Sequence, residues 1–308
     1  MKYIKAIFCV LITCTFVTSC KTKDKIITAD NPPFDTQAHR GGRGLMPENT
    51  IPAMLDAIDR GVNTLELDLQ ISKDRKVLVS HDPYFNEKIT TTPEGRFLTK
   101  EEARKRLLYG MTYDSIAKYD IGLKPNPDFT RKKNIVACKP LLAELIQATE
   151  KYARKKSQII HYNMEIKSTV KGENVNHPPV KEYVDLVMSI VAENGIMNRT
   201  TIQSFDVRAL RILNRKYPLV DTSYLVNYKE KRSAEELLDR LGFVPSIYSP
   251  DYRLVTSELI TYCHAKKIKV IPWTVNDIET LQRMIDLKVD GVISDYPNLY
   301  EELKLITK

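Results

Sequence analysis

The sequence predicts an α/β fold, a (β/α)8 TIM barrel with a cap-like insertion after the strand ending at His81. Three observations predict it. Short apolar segments alternate with stretches of helical period along most of the chain. The alternation supplies the eight strands, each trailed by a helix, that close such a barrel. It breaks only once, for about 75 residues after His81, far beyond an ordinary connection. With 308 residues, 43% of them hydrophobic and 28% charged, the chain can bury a large core, which excludes a disordered protein.

The N-terminus is a separate case. Lys2 and Lys5 precede an apolar run from Ala6 to Val17 that is short for a membrane span, so residues 1–19 read as a secretory signal peptide. Val17-Thr18-Ser19-Cys20 resembles a bacterial lipobox, with Val17 and Thr18 departing from its commonest residues. That resemblance implies cleavage before Cys20, lipidation of Cys20, and a membrane-anchored lipoprotein of the cell envelope on its periplasmic or surface side. Residues 20–33 are polar, end in Asn31-Pro32-Pro33 and read as the tether; residues 34–308 form the folded domain.

From Phe34 the elements follow in order. Thr36–His39 is a strand and Thr50–Arg60 a helix; Thr64–Ile71 pairs with Val77–His81 as a hairpin. Residues 84–158 form the insertion. Within it Thr99-Lys100-Glu101-Glu102 opens a helix, Asp120–Pro127 is turn-rich, and Pro140–Lys151 is amphipathic. An excursion after a barrel strand falls on the catalytic face, so it reads as a small cap over the substrate site or, in the plainer alternative, as a surface excursion. The alternation resumes with strand Ile159–Ile166 and helix Tyr183–Asn194, Thr201–Phe205 and Val207–Tyr217, then Thr222–Val226 and Ser233–Leu241. It ends with Ser246–Tyr248 and Thr256–Lys266, Val270–Val275 and Ile278–Leu287, then Val292–Ser294 and a short helix.

Residues two apart on a strand share a face, so Glu66 and Asp68 point together into the barrel while Leu65, Leu67 and Leu69 face the outer helices. Two inward acids repel unless something compensates them. Salt bridges at the strand mouth would serve, and so would a hard divalent cation. Glu165-Ile166-Lys167 repeats the pattern on the next barrel strand and adds a third carboxylate and a cation. Three oxygen ligands with positions left open describe a catalytic Mg2+ or Ca2+ site. His39 and His81 each end a strand, and histidine is suited to give or take a proton near neutral pH, as phosphodiester cleavage requires. Arg40 can neutralise a phosphate. His161, His177 and His264 lack such neighbours and read as structural.

Taken in order, Ala38-His39-Arg40-Gly41, Pro47-Glu48-Asn49-Thr50, Glu66-Leu67-Asp68, His81-Asp82, Glu165-Ile166-Lys167, Ser204-Phe205, Trp273-Thr274-Val275-Asn276 and the run from Asp290 to Pro297 resemble the motif series of glycerophosphodiester phosphodiesterases. The resemblance runs from about Phe34 to Leu299. It implies a TIM barrel with one divalent metal ion, Ca2+ or Mg2+, on Glu66, Asp68 and Glu165, and an acid–base pair, His39 and His81. Arg40 and Lys167 would hold phosphate, Phe205 and Trp273 would line the glycerol side, and Asn49 would support the site. The implied reaction is hydrolysis of a small-molecule glycerophosphodiester to an alcohol and sn-glycerol 3-phosphate. In it the glycerol 2-hydroxyl attacks phosphorus with His39 as base, His81 protonates the leaving alcohol, and water opens the cyclic phosphate. Two other readings stand beside it: a phospholipase D-like enzyme of the same barrel type that forms cyclic phosphates, and a non-catalytic glycerophosphodiester-binding lipoprotein. Arg75 departs from the family in a hairpin turn where glycine is usual, at a cost of up to about 1 kcal/mol if its φ is positive.

The net charge of +8 suits an anionic substrate or membrane surface, and equally a solvated basic surface. No basic stripe interleaved with aromatics points to nucleic acid. Cys9 and Cys14 fall within the signal, and Cys138 and Cys263 are expected as separate buried thiols, with a bridge between them as the alternative.

Overall fold

The computed structural model describes residues 34–306; the signal peptide, Cys20 and the tether of residues 20–33 lie outside them. In chain order the elements are β1 (Asp35–Ala38), α1 (Ile51–Asp59), β2 (Thr64–Ile71), β3 (Val77–Val79), α2 (Lys100–Lys105), α3 (Tyr113–Ile116), α4 (Leu142–Lys155), β4 (His161–Ile166), α5 (Val180–Glu193) and β5 (Thr200–Ser204). They continue with α6 (Val207–Lys216), β6 (Asp221–Val226), α7 (Ala234–Leu241), β7 (Ile247–Pro250), α8 (Ser257–Ala265), β8 (Lys269–Val270), α9 (Ile278–Asp286), β9 (Gly291–Ser294) and α10 (Asn298–Glu302).

Parallel pairing runs β8-β7-β6-β5-β4-β2-β1-β9, and β3 pairs antiparallel with β2 at its outer end. The gap between β8 and β9 is bridged by backbone bonds from Asp290 N to Val270 O (2.9 Å), Ile293 N to Pro272 O (3.0 Å) and Val275 N to Ile293 O (3.0 Å). The (β/α)8 barrel is thereby closed. The strand expected over Val270–Val275 is regular only at Lys269–Val270, because Pro272 has no N–H to donate to a ladder. The strand expected to end at His81 stops at Val79, though Ser80 N still bonds Asp68 O at 2.9 Å.

The main core lies between the barrel wall and its helices. Leu65, Leu67 and Leu69 of β2 point outward into it, against Leu142, Leu145 and Ile146 of α4 and Tyr183, Val184 and Val187 of α5. Thus α4, at the end of the long interruption, is a member of the helix ring. The rest of the insertion has a small core of its own, Phe85, Leu98, Ala103, Leu108, Tyr113 and Ile116, built against Leu78. It is stitched to the loop after β1 by Lys133 N bonding Leu45 O (2.8 Å) and by Arg43 over the Phe129 ring at 4.8 Å.

Arg75 does have positive φ, at 60°. Cys138 and Cys263 are both free thiols, and only Cys263 is buried; Cys138 is exposed, because it sits in the irregular segment before α4 and packs beneath no helix. Among the described residues no helix is long and apolar enough to cross a membrane.

Candidate active site

At the C-terminal ends of β1, β2, β4, β5 and β9 the backbone delivers polar side chains to one mouth. β1 ends in a tight turn, His39–Gly41, in which Arg40, Gly41 and Gly42 have φ of 52°, 77° and 87°. The turn is possible because a Cβ on Gly41 would lie 2.8 Å from Ala53 Cβ of α1, and one on Gly42 would lie 2.9 Å from Pro297 Cδ. It turns the Arg40 N–H onto Glu66 Oε2 at 2.7 Å.

The acids expected together are together. Glu66, Asp68 and Glu165 are all buried, and one carboxylate oxygen from each lies within 4.8 Å of the others. Glu66 Oε1 accepts from Gln203 Nε2 at 2.7 Å, and Asp68 Oδ2 accepts from Asn49 Nδ2 at 2.8 Å. Asn49 Oδ1 in turn accepts from Asp68 N at 3.2 Å. Lys167 Nζ lies 3.0 Å from Glu165 Oε1 and 3.5 Å from Asp68 Oδ1, and Arg40 Nε lies 3.3 Å from Asp68 Oδ2. Burial pushes the Glu66 carboxyl well up, and the Asp68 charge adds to it. Burial pushes Glu165 up as well, against the pull of Lys167. At Asp68 burial is outweighed by Lys167 and Arg40, which hold it well below the usual carboxylate range.

Two cations against three acids leave the cluster short of positive charge. Asp68 Oδ1 is fully buried and has no hydrogen-bond donor. An orphaned buried carboxylate oxygen beside two further carboxylates is a donor set that a hard divalent cation fits.

The two histidines flank this cluster in different settings. His39 Nδ1 lies 2.5 Å from Asp295 Oδ1, and its Nε2 is 3.9 Å from Glu66 Oε2. Burial drives its pKa down to about 4, although Asp295 pulls the other way. Asp295 is itself held far below the carboxylate range, its burial outweighed by His39 and Arg43. Arg43 Nε and Asn276 Nδ2 also donate to it, each at 2.7 Å. His81 stands nearer solvent, with Nδ1 3.0 Å from Asp82 Oδ1.

A cavity of about 270 Å³ unites these groups, lined among others by His39, Arg40, Glu66, His81, Glu165, Lys167, Phe205 and Trp273. Phe205 and Trp273 meet edge to face with ring centroids 5.7 Å apart, and Phe205 is 43% exposed. Arg40 is less free than a bare phosphate clamp, since Glu48 Oε1 holds its Nη1 at 3.1 Å. His161, His177 and His264 are elsewhere; His177 is buried between Pro178 O (2.7 Å) and Thr169 N (3.0 Å).

Sequence reasoning missed Asp295, Gln203, Arg43 and Asn276 as working parts. Gln203 was within reach, because it precedes the expected Phe205 by two on one strand face. Asp295 and Asn276 lay inside two of the motifs, but nothing local tied Asp295 to His39, 256 residues away.

Known proteins share this fold and sequence. A crystallised chain from Silicibacter pomeroyi DSS-3, described as a candidate glycerophosphoryl diester phosphodiesterase, superposes with a TM-score of 0.79 at 28% identity, covering 90% of this chain and 94% of that one. A phosphodiesterase from Oleispira antarctica, solved with the product sn-glycerol-3-phosphate, shares the fold with a TM-score of 0.69 at 19% identity, covering 88% and 96%. The Glycerophosphodiester phosphodiesterase of Bacillus subtilis (strain 168) is 26% identical over 293 residues, 93% of this chain and 91% of that protein. The Glycerophosphoryl diester phosphodiesterase family matches residues 39–299, from His39 just after β1 to Leu299 in α10, and the chain belongs to that family.

Proposed function

We propose that this enzyme hydrolyses glycerophosphodiesters to an alcohol and sn-glycerol 3-phosphate, with one divalent cation, Ca2+ or Mg2+, held by Glu66, Asp68 and Glu165. The observation that carries the reading is the pair of differently held histidines facing one cavity over a buried three-carboxylate floor. A bound cation would polarise the phosphoryl oxygen and lower the pKa of the attacking hydroxyl.

The remaining work falls to side chains. Asp295 fixes the Nδ1 proton of His39, which turns the Nε2 lone pair into the cavity. With its pKa near 4, that imidazole is neutral at physiological pH and takes the proton of the glycerol 2-hydroxyl. His81 sits at the rim and is tied to Asp82; it gives a proton to the departing alkoxide. Lys167 and Arg40 place positive charge beside the phosphate oxygens, and the Phe205–Trp273 edge covers the glycerol carbons. An acyl anchor on Cys20 would hold the enzyme at an envelope membrane.

Paired variants test the assignment. His81→Ala should lose at least about a hundredfold on glycerophosphocholine, and less than about tenfold on a 4-nitrophenyl ester whose leaving group departs unprotonated; His39→Ala should be slow on both. Equal impairment on the activated ester removes His81 as the acid, and rescue of His39→Ala alone exchanges the roles. A cyclic phosphate as sole end product would make the enzyme phospholipase D-like. Tight binding without turnover would make it a binding protein.

A further inference from the structure

Beside the catalytic cavity lies a second one, of about 210 Å³, walled largely by the insertion. The two cavities share Arg40 and Arg43 in their linings. Asp82, which bonds His81, lines the second cavity only. Since His81 is assigned to the leaving alcohol, that alcohol departs toward this side, away from the Phe205–Trp273 wall.

The charges that line the second cavity are unevenly spent. Arg40 is held by Glu48, Arg43 by Asp295, and Lys88 by Asp128. Asp82 is taken up by His81 and by Asn86 Nδ2, the latter at 2.9 Å. Lys100 and Arg104, one turn apart on the exposed face of α2, have no carboxylate partner among the described residues. The acids of their own helix are engaged elsewhere: Glu101 pairs with Lys105 at 2.5 Å, and Glu102 with Arg96 at 2.9 Å while also closing the Thr99 cap. Over the whole lining five cations, Arg40, Arg43, Lys88, Lys100 and Arg104, face four carboxylates, Glu48, Asp82, Glu87 and Asp128, and both cations without a carboxylate partner stand on α2. A cavity with this balance attracts an anion and repels a fixed cation.

We propose that this second cavity is the leaving-group subsite, and that Lys100 and Arg104 make the enzyme prefer glycerophosphodiesters whose alcohol carries negative charge, as a carboxylate or a further phosphate, over those with a quaternary ammonium. The inference rests on the phosphodiesterase reading and deepens it. Because both cations are exposed, the preference is electrostatic and weakens with salt.

The test is a substrate panel with the metal-loaded full-length enzyme: the glycerophospho ester of 3-hydroxypropionate for the carboxylate, glycerophosphoinositol 4-phosphate for the phosphate, neutral glycerophosphoglycerol, and glycerophosphocholine. The wild type should favour at least one anionic substrate over glycerophosphocholine by about tenfold in kcat/KM at low salt, falling toward parity at 0.5 M NaCl. Lys100→Glu with Arg104→Glu should reverse that ratio, and the milder Lys100→Gln with Arg104→Gln should bring it near one. Glycerophosphoglycerol serves as the common denominator and reports folding. If the panel is hydrolysed but the anionic-to-choline ratio is the same in wild type and both variants, or wild type favours choline, the subsite assignment is overturned and the phosphodiesterase reading stands. If none of the panel is hydrolysed by wild type, the phosphodiesterase reading itself fails.

Discussion

Asp295 has no exposed side-chain surface and serves three donors, His39, Arg43 and Asn276. Asp295→Asn keeps the shape but removes the charge and can present an N–H to His39, so the imidazole loses its assigned tautomer. We expect kcat to fall by about 10²–10⁴ with little change in KM; a loss under tenfold would show that His39 is oriented by something else. The same pair sets a pH dependence. A histidine depressed from 6.5 to about 4 binds its proton in the unfolded chain before the folded one, so falling pH costs stability through that window, and the acidic limb of activity should lie nearer pH 4 than pH 6.5. Glu66 with Asp68, and Glu165 with Lys167, were legible in the sequence because a two-residue spacing on a strand puts both side chains of a pair on one face. Asp295 stood in a motif, but its pairing with His39 was not legible, because a contact between the first and last strands leaves no local periodicity to read.

At the level of elements, the turn after β1 is the tightest constraint. Gly41→Ala places a methyl 2.8 Å from Ala53 Cβ at a φ of 77°, so it should destabilise the fold by about 1–3 kcal/mol and draw Arg40 N away from Glu66. Chemical denaturation measures the first effect, and a matching loss of activity under folding conditions the second; a wild-type midpoint would refute both. Strand and helix order could be read from alternation alone, whereas ends could not. Pro272 cut β8 short where the apolar run Val270–Val275 promised more. The interruption hid a ring helix, α4, whose amphipathic stretch was visible but whose place in the barrel depended on packing against β2 and α1, which no local pattern encodes.

For the molecule as a whole, the three-carboxylate floor predicts that chelation abolishes turnover and lowers the melting temperature, and that Ca2+ or Mg2+ restores both. Saturation at a hundred times Kd would add about 2.7 kcal/mol of stability. Glu66→Gln or Asp68→Asn should lose metal affinity, read by calorimetry, and activity together. Undiminished turnover in metal-free protein would end the assignment. The other expectation at this scale concerns Cys20, where substitution by alanine should leave the protein unprocessed or release it from the membrane fraction. Processing and fractionation identical to wild type would count against an acyl anchor.

The histidine–aspartate bond has one more consequence, which follows from where it sits. Ala38 is paired with Ser294 in the register of β1 and β9, and His39 and Asp295 are the next residues on each side. The proposed dyad is therefore a clasp across the seam where β1 and β9 meet. A nascent chain that has not yet released β9, or a copy clipped before Asp295, lacks the carboxylate that orients the proposed base. With His39 as the base, turnover of the isolated protein should therefore count only closed molecules, and the ratio of activity to antigen should track how much of it has completed its folding.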